Sequence, residues 1–172
     1  IWTRAPVFGG PMYPHRLSPA TVLHRLSGYY IPYHKALSRL LDATHSRFGY
    51  FVHVNCHSMA SRAGRVHTDA YQSARPDFVI GDRDGTTCAA SLTRLLEKTL
   101  TEEGYSAAIN DPYKGVELVR AYSDPNRGRH SLQLEVNRRL YMDEATRETS
   151  SQFRQIQMLL EGVMTRMLDW AP

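Results

Sequence analysis

Two stretches of this chain carry chemistry-capable side chains where a buried strand should have none. Residues 51–61, FVHVNCHSMAS, alternate apolar residues and then end on Asn55-Cys56-His57-Ser58, groups able to hold a metal or a hydrogen bond. In the plainer reading a strand gives way to a polar loop; in the other, His57 is a metal ligand. Residues 131–136, SLQLEV, place Leu132, Leu134 and Val136 on one face and Ser131, Gln133 and Glu135 on the other, by the two-residue period of a strand. A carboxylate inside an otherwise buried strand is costly unless paired or bound. Glu135 is therefore either ion-paired with Arg138 or Arg139, or a general base or metal ligand near the strand's carboxyl end.

The rest of the composition narrows what such a site could serve. At 172 residues, 42% hydrophobic and 22% charged, the chain reads as one ordinary globular domain. No apolar run approaches the roughly 18 residues that cross a bilayer, which argues against a membrane protein. The net charge of +4 comes mainly from arginines scattered between Arg4 and Arg166. A nucleic-acid binder concentrates its charge in a patch, so scattered arginine argues against that class and suits small anionic substrates instead. Most of the eight histidines must be structural or exposed. Cys56 and Cys88 make no disulfide framework and point to a reducing compartment, with a single bridge left open. The start, IWTRAPVFGG, reads neither as a signal peptide nor as a natural beginning, so the expectation is a partial chain.

Stepping outward to the elements, Ser18-Pro19 predicts a capped helix to about Tyr29. Pro32 restarts a helix with Ala36, Leu37, Leu40 and Leu41 on one face and Gly49 as its stop. Strands are expected at 50–56, 77–82, 105–110 and 131–136. Helices are expected at 87–103, with Leu92, Leu95, Leu96 and Leu100 inward, and at 146–169, with a core stripe from Phe153 to Leu168. Residues 58–76 and 111–130 read as long polar loops, a length uncommon without function. Alternating strands and helices give an α/β fold: a three-layer arrangement with a mixed, partly parallel central sheet flanked by helices. Chemistry in such sheets gathers at the strands' carboxyl ends, where the loops after residues 56, 82, 110 and 136 begin.

Read in order, CHSMAS (56–61), RPDFVIGDRDGT (75–86), NDPYKG (110–115) and HSLQLEVNRRLYMDE (130–144) form a series, with YYIPYHKAL (29–37) ahead of it. This series resembles the N-formylglutamate amidohydrolase (deformylase) family over roughly residues 10 to 145. The resemblance implies a zinc-dependent hydrolase with a fold similar to zinc carboxypeptidases, releasing formate and glutamate from N-formyl-L-glutamate in histidine degradation. It implies that His57 is a zinc ligand and Glu135 the general base. Asn110, Tyr113 and Arg120 would lie in the loop over the substrate, with Tyr122 as the alternative to Tyr113. Arg138 would bind a substrate carboxylate or orient Glu135, and Asp77 and Asp82 would either brace the histidine ring or cap strand ends.

The family's first zinc segment, of Pro-His-Ser-Gly type with an acidic ligand after it, has no counterpart here, nor has its Asp-x-Asn-Arg segment. His15 in YPHRLSP stands out of order for that role. The expectation is thus a single domain, 1–172, forming the C-terminal part of a longer enzyme, with the remaining zinc ligands upstream. By the same resemblance the protein is bacterial and cytoplasmic, its partner a small acylated amino acid rather than nucleic acid or membrane; self-association stays open. Two alternatives also stay open: a related amidohydrolase acting on another acylated amino acid or a cell-wall amide, and a non-catalytic relative serving as a binding module.

Overall fold

Ser18 opens the first helix as the sequence predicts, in a computed structural model that describes residues 11–64 and 72–172. Its Oγ accepts the Thr21 N–H at 3.1 Å, and Pro19 begins α1 (Pro19–Arg25). The helix does not break at Pro32. It continues through a π-helical turn, Leu26–Tyr30, into α2 (Ile31–Phe48). A proline ring clashes with the carbonyl four residues back, and the widened turn ahead of Pro32 is where the helix yields. Gly49, at φ 80°, ends α2 in the left-handed region. Of the expected apolar face only Leu41 is buried; Leu40 is 64% exposed, so this helix packs less deeply than its pattern suggested.

The central sheet has four strands in the order β1-β4-β2-β3: β1 (Phe51–Met59), β2 (Phe78–Gly81), β3 (Ala107–Ile109) and β4 (Arg129–Asn137). β1 runs parallel to β4 and β2 parallel to β3, while β2 and β4 are antiparallel. The expected mixed, partly parallel sheet flanked by helices is present. Its polarity corrects one inference, however. Gly81 stands opposite Gln133, so the carboxyl ends of β2 and β3 point away from those of β1 and β4. The loops after 82 and 110 therefore start at the opposite end of the sheet from His57.

One face of the sheet is apolar and makes the core. Leu132, Leu134 and Val136 pack with Phe78 and Ile80 against α3 (Ala90–Glu102) and α5 (Phe153–Leu168). Leu92, Leu96 and Leu100 supply the α3 stripe and Ile156, Val163 and Met167 that of α5. Residues 146–152, expected as helix, are irregular, with turns and an isolated bridge from Thr149 to Met142, and Phe153 and Leu168 at the ends of α5 are 43% and 83% exposed. The opposite face carries the odd-numbered residues of β1 and β4, and α4 (Glu117–Ala121) lies over it through the buried Val119. That short helix, with a 3-10 turn at Pro125–Arg127, lies inside the stretch expected to be loop. Cys56 and Cys88 are both free thiols, the second buried with its thiol pushed up to about 11 by burial. No helix among the described residues is long and apolar enough to cross a membrane.

Candidate active site

Register brings the two stretches singled out in the sequence into one row. His57 stands directly opposite Glu135 across the β1–β4 pair, and residues paired in register share a face. β1 runs on to Met59, so His57 lies inside its strand rather than just past it. Its Nδ1 is 3.5 Å from Glu135 Oε1, and its Nε2 is 3.0 Å from the Asn55 side-chain nitrogen. An amide NH2 only donates, so Nε2 accepts from Asn55 and Nδ1 turns its proton towards Glu135.

Glu135 is 4% exposed. It does not pair with Arg138 or Arg139. Arg139 bonds Asp77, and Arg138 Nε lies 3.4 Å from Glu144 Oε1. Gln133 Nε2 instead donates to Glu135 Oε1 at 2.8 Å, while the buried Oε2 has no hydrogen-bond partner among the described residues. Burial pushes the carboxyl above its ordinary value; the His57 ring, the Gln133 hydrogen bond, Arg75 and Arg138 pull it back. A carboxylate held in that balance is suited to taking up a proton and giving it back.

The remaining predicted site residues divide by place. Tyr113 lies under the Arg75 guanidinium, 5.1 Å from its ring centroid, and Arg75 is one of the cations acting on Glu135. Arg138 acts on Glu135 as a charge too, while its side chain faces Glu144, whose carboxylate also accepts the Ser61 backbone N–H at 3.0 Å. Asn110 sits at φ 59° with its amide committed to Asp82: Nδ2 donates to Oδ1 at 2.7 Å and Oδ1 accepts the Asp82 N–H. Its hydrogen bonds bracket β2 to β3. Arg120 lies on the outside of α4 in an ion pair with Glu117, Nε to Oε2 at 2.8 Å. Tyr122 is bonded to His34 Nδ1 at 2.6 Å and meets the His53 ring. Along a strand His53 and His57 are roughly 13 Å apart, so Tyr122 belongs to the far end of the polar face.

Asp77 accepts from the backbone N–H and hydroxyl of Ser106, and Asp82 accepts from Gly85 and Thr93. Both tie strand ends to neighbouring segments. Arg75 and Gln133 are the contributors that residue type alone did not reveal. For Gln133 the signal was present: it precedes Glu135 by two and so shares its face.

Comparison with known proteins decides the family. The model of the N-formylglutamate amidohydrolase family matches residues 1–142. The chain belongs to that family. Its curated relatives include the N-formylglutamate deformylases of Pseudomonas putida, 30% identical over 169 residues, and of Pseudomonas aeruginosa, 30% identical over 139 residues. These alignments cover 94% and 79% of this chain but 61% and 51% of the relatives. Among solved structures, the N-formylglutamate amidohydrolase of Ralstonia eutropha JMP134 superposes with a TM-score of 0.85 at 42% identity, over 93% of this chain and 57% of that one. A gene product of Agrobacterium tumefaciens shares the fold, with a TM-score of 0.62 at 18% identity. The chain thus spans about half to three fifths of the curated deformylases it matches.

A metal at this site is implied by the family resemblance, and the residues fit one part of it. His57 offers a single imidazole with its side chain 37% exposed, and Asn55 has to release Nε2 before that nitrogen can hold a metal; beside it lies a buried carboxylate oxygen with no hydrogen-bond partner among the described residues. Among the described residues no three His, Cys, Asp or Glu side chains converge to hold an ion. The described residues thus fit at most one ligand of a three-ligand site.

Proposed function

We propose that the chain carries the base-bearing part of a metal-dependent amidohydrolase that removes the formyl group from N-formylglutamate. The observation that carries this reading is the buried Glu135 facing His57 in register, with Oε2 unpartnered among the described residues. The family membership and the names of the curated relatives support the substrate.

In this mechanism His57 would be one of the residues that hold a zinc ion, with the other ligands supplied from outside the described residues. Zinc, when bound, supplies Lewis acidity and lowers the pKa of water near it. Glu135 takes the proton of the attacking water and returns it to the leaving amine, so that the formyl C–N bond breaks to give formate and glutamate. Gln133 and His57 hold Oε1, which leaves Oε2 to handle the proton. Arg75 and Arg138 favour the ionised form that accepts it.

The substrate class follows from the family and from the names of the curated relatives. A dicarboxylate such as N-formylglutamate should be preferred to N-formylated neutral amino acids, because a site built to meet a second carboxylate leaves its polar groups unpaired without one. The site serves a protein with no spanning helix among its described residues, and a cytoplasmic location suits a substrate drawn from amino-acid breakdown.

The test is formate release by the full-length protein from formyl-Glu and formyl-Leu, with metal content read by elemental analysis. Preference for formyl-Glu, with one zinc per chain, is the expected result. Equal specificity constants for the two substrates would contradict the substrate assignment.

A further inference from the structure

Gln133 is 1% exposed and uses both ends of its amide. Its Oε1 accepts the Val116 backbone N–H at 3.0 Å, and its Nε2 donates to Glu135 Oε1 at 2.8 Å. A backbone N–H can only donate, so Val116 forces the amide oxygen to face it. The amide nitrogen is thereby turned towards Glu135. The orientation of the Gln133 amide is set by the loop and passed on to the carboxylate.

The same register row explains how the loop reaches that far. Gly81 stands opposite Gln133, and the backbone of Lys114 and Gly115 passes directly over it. A Cβ built at Gly81 would lie 2.7 Å from Gly115 N and 2.8 Å from the Lys114 carbonyl carbon. Any side chain there would lift the 112–116 segment off the sheet. Because the segment lies flat, Arg83 Nη1 also reaches the Gly115 carbonyl at 2.8 Å, and Val116, the cap residue ahead of α4, comes within reach of Gln133. Tyr113, in the same segment, rests against Arg75 beside Glu135.

From this geometry we infer that Gln133 is a positioning residue that couples the 112–116 segment to the orientation of the Glu135 carboxylate. With the segment seated, Gln133 donates to Oε1 and holds Oε2 as the working oxygen. With the segment lifted, the amide loses the partner that fixes it and is free to turn its oxygen towards Glu135, where it repels the ionised carboxylate. Seating of the segment over the site and competence of the base are thus one event. This rests on the reading of Glu135 as the base; the link between segment and carboxylate does not.

Three substitutions separate the two ends of the amide. Gln133→Met keeps the volume and loses both bonds. Gln133→Glu keeps an acceptor for Val116 and loses the donor to Glu135. Gly81→Ala lifts the segment and leaves every side chain of the row in place.

Two readouts need no turnover: hydrogen exchange at the Val116 amide, and the NMR shift of the Gln133 side-chain amide with and without Glu135→Gln. The Val116 amide should be protected in the wild type and in Gln133→Glu, and should lose protection in Gln133→Met and Gly81→Ala. The Gln133 side-chain resonance should move on Glu135→Gln. In turnover, Gln133→Met and Gln133→Glu should lower kcat by about a hundredfold, the scale on which misplaced catalytic groups act, with KM little changed. Combining Gly81→Ala with Gln133→Met should add little to the loss. Unchanged Val116 exchange in Gln133→Met would overturn the coupling, and so would wild-type kcat in that variant, the result expected if Gln133 only fills space. If the wild type hydrolyses no formylglutamate, the functional reading fails by itself, and the exchange and resonance data still decide the coupling.

Discussion

His53 and His130 lie on opposite faces of the sheet and meet the same constraint. His53 Nδ1 is 2.8 Å from the Ser131 hydroxyl. His130 Nδ1 accepts the Ala89 N–H, which places its proton on Nε2, buried near the Trp170 ring. Burial lowers the pKa of both below the ordinary histidine value of about 6.5. Between the lowered values and about 6.5, the unfolded chain binds protons that the folded chain refuses. Stability from the neutral rings is complete above about 6.5 and is lost as pH falls through the folded values. Urea midpoints measured from pH 7.5 downward should therefore decline in that window, with a shallower decline in His53→Gln and in His130→Gln. An equal slope in the wild type and both variants would refute the assignment. The two residues with proposed chemistry were legible at this scale because their types stood out against a strand pattern. That Gln133 shares the face of Glu135 was legible too; its tie to the Val116 backbone N–H was not, since no local pattern links the two.

At the scale of elements, the stripes with a clear period packed as expected, and the shortest elements were the ones missed. Leu92, Leu96 and Leu100 meet Leu132 and Leu134 across the apolar face, as their spacing required. α4 has five residues, too few to show a helical period, and its buried Val119 was hidden in what reads as loop. The ends of α5 were over-read because an apolar stripe does not say where the sheet beneath it stops. α2 was over-read in the same way, its Leu40 facing outward. Leu132, fully buried at the centre of the core, tests the packing: Leu132→Ala should cost about 2–5 kcal/mol by denaturant unfolding. A loss well under 1 kcal/mol would mean that the apolar face is not the core described.

For the whole molecule, the order of strands was the feature least legible in the sequence. β2 is antiparallel to β4, so the four polar loops split between two ends of the sheet instead of gathering at one. Local sequence carries no sign of that reversal, because buried strands look alike in either direction. What the order achieves is specific. β1 and β4 run side by side so that His57 faces Glu135, while β2 brings Gly81 against Gln133 and opens a path for the 112–116 segment across the polar face. The chain spans 61% of the Pseudomonas putida deformylase and 57% of the Ralstonia structure, and the role proposed for it within a hydrolase rests on one carboxylate. Glu135→Gln in the full-length protein therefore puts the account to its sharpest test, with N-formylglutamate turnover and metal content measured on the same samples. The isosteric amide keeps the shape of the site and removes the proton acceptor. Turnover should fall by about 10²- to 10⁴-fold with metal content unchanged, the range that general bases contribute. Wild-type-like turnover in the Gln variant would contradict the account.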